Sequence, residues 1–248
     1  LKLPIFTTVW LLLLGCGASL FAQNNQTPIS QFQAGLSFIA GLPQNEFKEN
    51  MGNTGLGLSG EFAYRLPRSP LLIGGSLGFL IYGHENRKVP FSKTIPDVTV
   101  DVQTNNSILI GHLIARLQPY SGTVRPYLDG LVGFNYFWTE TTVRSERWND
   151  DDDNSIASST NQDDITLSYG GGGGLAVKVW DNYQNQESTS GMVAVFLDLG
   201  VHYVQGRRAE YLKEGSIERD MESGTISYEL TESTTDLVNI KLGVKVEF

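Results

Sequence analysis

The chain predicts an all-β fold, a single antiparallel up-and-down barrel of eight strands. Three observations carry that expectation. Eight stretches alternate large apolar residues with polar or small ones at a period of two, the mark of strands with two unlike faces. Charged residues make up only 18% of the 248-residue chain, while glycines number 27 and aromatics reach 10%. That mixture weakens helix interiors and suits pleated surfaces and turns. The links between the stretches are alternately short and long, as when one end of a barrel carries tight turns and the other carries loops.

Residues 1–22 read as a secretory signal peptide: Lys2, an apolar run over 5–14, then small residues leading to Ala22. The run is too short for a spanning helix. Leu13, Leu14, Gly15 and Cys16 resemble a lipobox, so lipidation at Cys16 stands as the alternative to cleavage after Ala22. Residues 23–30 form a polar leader, and the barrel is expected over 31–248 with no second domain.

The expected strands cover 31–42, 55–66, 71–82, 107–118, 125–138, 165–180, 191–205 and 235–248. In the second, Leu56, Leu58, Phe62, Tyr64 and Leu66 oppose Gly57, Ser59, Glu61 and Arg65. The third is blurred by Leu72 and Leu80. The fourth is blurred further, because placing Leu109, Leu113 and Leu117 against His112 and Arg116 turns Ile108, Ile110 and Ile114 toward the charged side. In the fifth, Leu128, Val132, Phe134, Tyr136 and Trp138 oppose Asp129 and Asn135, and in the seventh Val195, Leu197, Leu199, Val201 and Tyr203 oppose Asp198 and His202. Short links at 67–70, 119–124 and 181–190 alternate with long polar ones at 43–54, 83–106, 139–164 and 206–234.

Alternation alone fits a water-soluble barrel with an apolar lumen as well as a transmembrane one with an apolar outer face. The transmembrane reading is favoured by where small residues, rings and charges fall. Most strand glycines share the charged parity, and an eight-stranded lumen has little space. Apolar-parity rings gather at strand ends, with Phe134, Tyr136, Trp138, Tyr169 and Tyr203 toward one rim and Phe32, Tyr64 and Phe248 toward the other, as interfacial girdles do. The charges opposite nearly balance: Glu61, Asp129, Asp198 and Glu247 against Arg65, Arg116, Lys178, Lys241 and Lys245, with His112 and His202 beside them. Buried charges need partners, and these eleven residues form the expected lumenal charge network. Its expected state is a structural plug, and the alternative is a narrow path for small or hydrophobic solutes.

Other chemistries find little support. A net charge of −9 argues against a nucleic-acid partner. One cysteine excludes an internal disulfide and, outside the leader, thiolate sites. The run Gly170–Gly174 followed by Leu175 and Ala176 formally contains G-x-G-x-x-A, but the alternation continues through it as a strand, whereas a dinucleotide site needs a strand-to-helix turn. The acidic run 150–153 lacks the glycine and closing glutamate of an EF-hand loop and reads as a solvated loop. No metal or cofactor is expected. The histidines, His84, His112 and His202, include no His-x-Ser pair, and two share the lumenal parity, so no enzyme activity is expected; a lipid-modifying enzyme is the remaining alternative.

The last strand sets Val238, Ile240, Leu242, Val244, Val246 and Phe248 on one parity and ends on the aromatic. It resembles the closing strand of outer-membrane β-barrels, and that resemblance marks Val244, Val246 and Phe248 as a membrane-insertion signal. The segment Arg125, Pro126, Tyr127 with Gly130 and Gly133 is similar to a recurrent strand of the OmpA/OmpX/OmpW-like, porin-family, eight-stranded superfamily. The resemblance implies an integral protein of a Gram-negative outer membrane, monomeric, with outer-membrane lipids, lipopolysaccharide and the barrel-insertion machinery as its partners.

Overall fold

A computed structural model describes residues 30–92, 95–145, 155–182, 193–219 and 226–248. The expected signal peptide, Cys16 and the acidic run 150–153 lie outside these residues. The elements are β1 (Phe32–Pro43), α1 (Asn45–Met51), β2 (Gly55–Arg65), β3 (Leu71–Ser92), β4 (Ile95–Leu117), β5 (Val124–Ser145), β6 (Ser155–Asp181), β7 (Ala194–Gly206), β8 (Arg208–Arg219), β9 (Ile226–Thr234) and β10 (Leu237–Glu247).

Eight of these strands close a barrel in the order β1-β10-β7-β6-β5-β4-β3-β2, and β8 pairs with β9 in a separate two-stranded sheet. All barrel pairs are antiparallel, so the expected architecture is borne out. The seam is made by β1 on β10, where Phe32 and Phe248 exchange backbone hydrogen bonds of 3.0 Å in both directions. Followed partner to partner around the wall, the row through Lys245, Glu61 and His112 reaches β7 at Gly206, whereas Lys245 itself faces Phe196 there. The closing stagger is 206 − 196 = 10 residues, which tilts the strands against the axis.

The apolar parity faces outward. Leu36 is 65% exposed, Phe38 73%, Leu113 68% and Leu242 60%, whereas Arg116, Asp198 and Lys245 are all at 2% or less. A belt of this kind is unfavourable in water and matches hydrocarbon, so the barrel spans a membrane. Phe32, Phe62, Tyr64 and Phe248 cluster at one rim with centroids 5.3–6.4 Å apart. Phe79, Tyr136 and Trp138 do so at the other.

Four of the expected links are different in the structure. Residues 83–106 and 139–164 are not loops for most of their length, because β3, β4, β5 and β6 run on past the Ser107–Trp138 pair as ladders above the belt. Beyond the membrane both faces of a strand meet water, so the period of two fades while the hydrogen bonds continue. Residues 43–54 hold α1, and 206–234 hold the β8–β9 hairpin.

Glycine is required where strands approach closely. A Cβ on Gly57 would lie 1.7 Å from the Phe79 carbonyl oxygen of β3. Gly57→Ala should therefore lower barrel stability by about 1–3 kcal/mol, as overpacking does. The urea midpoint of the compact, heat-modifiable gel form measures it, and an unchanged midpoint would show that the approach is not constraining.

Candidate functional site in the barrel lumen

The lumen is layered. At the end where Phe32 meets Phe248, Glu247 sits between two arginines. Arg125 Nη1 donates to both its carboxylate oxygens at 2.8 and 3.0 Å, and Arg65 Nη2 donates at 3.2 Å. Arg65 also donates to the Gln118 carbonyl, and Gln33 bridges Gln118 and Glu247. The Arg125 guanidinium lies over the Phe196 ring at 4.6 Å.

The next layer is built on Arg116. Its Nε and Nη2 meet Asp129 at 2.7 and 2.8 Å, and its Nη1 and Nη2 meet Glu61 at 2.6 and 3.1 Å. Two bidentate carboxylates use the planar fork of one guanidinium, a match lysine cannot supply. Lys245 Nζ lies 3.1 Å from Glu61 and 2.9 Å from Asp198. The Tyr127 ring packs against both cations, 4.3 Å from Arg116 Cζ and 4.0 Å from Lys245 Nζ. His202 Nε2 is 2.9 Å from Asp129. These groups come from β2, β4, β5, β7 and β10, so the layer ties the wall across its diameter.

Above it lie Lys241, His112 and small polar residues. His112 Nε2 is 3.0 Å from Ser168 Oγ, which in turn bonds Asn135 at 3.2 Å. A histidine and a serine thus meet in space although no sequence spacing announced them. The upper lumen is apolar: Ile39, Leu80, Tyr82, Ile108, Ile110, Phe137 and Leu237 form a buried cluster. Ile108 and Ile110, which blurred the fourth strand, face inward here, and Ile114 is buried in a separate cluster with Leu131 and Val204. Phe47 of α1 and Tyr211 of β8 enter the upper cluster from above. Phe47 stands edge-on to Tyr211 at 5.3 Å and to Phe137 at 5.8 Å. Tyr211 shares a 2.7 Å hydrogen bond with Ser233, and burial pushes its hydroxyl pKa up. Asp236 anchors the lid, accepting from Asn45 Nδ2 at 2.6 Å and from the Gly206 N–H at 3.2 Å.

Of the eleven residues expected in the network, Glu61, Arg65, Arg116, Asp129, Asp198, His202, Lys245 and Glu247 are joined by ion pairs or hydrogen bonds. Lys178 is set apart at the rim, paired with Asp181 at 2.6 Å and partly exposed. His112 and Lys241 line the layer above. Arg125 and Tyr127 were missed, although both share the parity of Asp129; Arg125 opens its strand and was read as part of a motif. Val244, Val246 and Phe248 project outward from β10, Val244 42% and Phe248 43% exposed.

No protein-family model matches the chain, and no curated protein matches it. Solved structures similar to it include Neisserial surface protein A (12% identity over 87% of this chain and 95% of that one, TM-score 0.38). Others are Ail, the attachment invasion locus protein of Yersinia pestis (12%, 88% and 99%, 0.39), and a major outer membrane protein from Thermus thermophilus (14%, 88% and 99%, 0.41). At such identities no residue role passes from them to this chain.

Proposed function

We propose that this chain is a non-catalytic, monomeric protein of a Gram-negative outer membrane, with a closed lumen and a role in envelope integrity or in binding through its outer face. The observation that supports this most is that two packed layers cross the lumen in series and would act as barriers. One is the ion-pair layer around Arg116, the other the aromatic stopper of Phe47, Tyr82, Phe137 and Tyr211. A solute path would have to break bidentate pairs buried in low dielectric, which costs several kcal/mol per orphaned ion.

Outer-membrane lipid and lipopolysaccharide would cover the apolar belt, and the barrel-insertion machinery would read Val244, Val246 and Phe248, which face outward at the seam. What remains for recognition is the structure above the belt, the extended β3–β6 ladders and the β8–β9 lid. The absence of catalysis is supported by placement. His112 and Ser168 are enclosed between the two barriers, while a lipid substrate would approach the opposite side of the wall. His84 Nδ1 is held 2.6 Å from Asn105 at the exposed end.

Planar-bilayer recording tests the closed lumen. The purified barrel should insert without steady conductance, and reproducible unitary channels would overturn the reading in favour of a conduit.

A further inference from the structure

The lumenal charges do not cancel. Among the described residues the lumen below the stopper carries five cations, Arg65, Arg116, Arg125, Lys241 and Lys245, against four carboxylates, Glu61, Asp129, Asp198 and Glu247. The excess falls on Lys241. It is 7% exposed, and no carboxylate of the described residues lies within 4 Å of its Nζ. The nearest carboxylates are already committed: Glu61 binds Arg116 and Lys245, and Asp129 binds Arg116 and His202.

The surroundings of Lys241 are rich in donors. The ten-residue stagger raises the row through Lys245 by about five residues at β4, half a circuit away. That brings His112 near the level of Lys241, four residues along β10 from Lys245. His202 and Lys241 both lie within electrostatic reach of His112. Ser37 is registered against Ser59, and Ser76 against His112. None of these three serine hydroxyls has a hydrogen bond to a described residue, and His202 Nδ1, 1% exposed, is also without a partner. On the wall Lys241 is flanked by Gly200 of β7 and Ile39 of β1. This level of the lumen therefore brings together an ammonium, hydroxyls and an orphan ring nitrogen.

Water would satisfy those hydrogen bonds but leave the charge. A small anion does both, since an ammonium in a membrane-spanning lumen is unfavourable without a countercharge. We propose that this chamber binds one small monovalent inorganic anion, of the chloride and bromide class, seated on Lys241 Nζ and the serine hydroxyls, with the ion-pair layer below it and the aromatic stopper above.

The test is to fold the full barrel in detergent with bromide as the only small anion, crystallise it, and collect anomalous data at the bromine edge. One peak in contact with Lys241 Nζ is expected, lost in Lys241→Met and weakened in the Ser59→Ala/Ser76→Ala variant. Density without anomalous signal would mean water alone and would overturn the proposal, as would a peak that persists in Lys241→Met. Thermal midpoints of the parent protein give a second readout that needs no variant. They should be higher in bromide or chloride than in gluconate at equal ionic strength, and equal midpoints would count against the site. A conducting barrel that still shows the bromide peak would overturn the closed-lumen reading and support this one.

Discussion

Replacing Arg116 with methionine should destabilise the barrel by about 3–5 kcal/mol, the usual cost of removing one partner from a buried ion pair, and toward the upper end of that range. The side chain is 1% exposed and satisfies two carboxylates at once. Methionine keeps much of the length and apolar contact, so the loss reports charge and hydrogen bonding more than volume. Glu61 keeps Lys245 at 3.1 Å, but Asp129 is left with His202 alone. Adding Asp129→Asn to Arg116→Met neutralises the carboxylate left without a strong partner, while Glu61 keeps Lys245, and should recover more than half of the lost stability because the balance of lumenal charge is restored. Urea unfolding of the heat-modifiable form measures all of these. A single variant within about 1 kcal/mol of the parent, the range of an exposed pair, would remove the ion-pair layer as a structural tie. A double variant no better than the single would show that packing around Tyr127 matters more than charge.

The barrel itself was legible because a membrane imposes strict alternation. Outward positions between the girdles are mostly apolar and inward ones mostly compact or paired, so parity identifies most of the charged set, although it also takes in Lys178, which pairs at the rim. Partners were less legible. Glu247 and Arg125 lie on strands that sequence order cannot bring together, and only closure with its stagger sets them 2.8 Å apart. Lys245 and Glu247 of the last strand find partners on β2, β5 and β7, at Glu61 and Arg65, at Arg125 and at Asp198, while Gln33 of the first strand adds a hydrogen bond to Glu247 at 3.4 Å. Legibility ended where the membrane constraint ends. The ladders above Trp138 carry no one-sided apolar pattern. Ile108, Ile110, Leu80 and Phe137 sit at inward positions that the parity rule expects to be polar, and they make sense only once Phe47 and Tyr211 are seen to close over them. A seven-residue helix such as α1 is too short to form unaided, so its signal was a single aromatic in a polar link.

Phe47→Ala should release the lid while sparing the barrel. The ring is 1% exposed and contacts Tyr82, Phe137 and Tyr211, and truncating a buried phenylalanine costs about 3–5 kcal/mol. That loss should appear locally. The β1–β10 and β1–β2 ladders do not pass through α1, whereas α1 is held by its ring and by the Asp236 contacts with Gln44 and Asn45. Trypsin cleavage after Lys48 reads the open population when opening and closing are fast relative to cutting. A shift of about 3 kcal/mol corresponds to roughly a hundredfold faster cleavage, at about tenfold per 1.4 kcal/mol. The urea midpoint of the barrel should stay near that of the parent, and bilayers should remain silent because the Arg116 layer is untouched. Cleavage at the parental rate would show that α1 is docked by its polar contacts and that the ring is incidental. Steady channels from Phe47→Ala alone would show that the ion-pair layer does not block, leaving the aromatic stopper as the sole barrier.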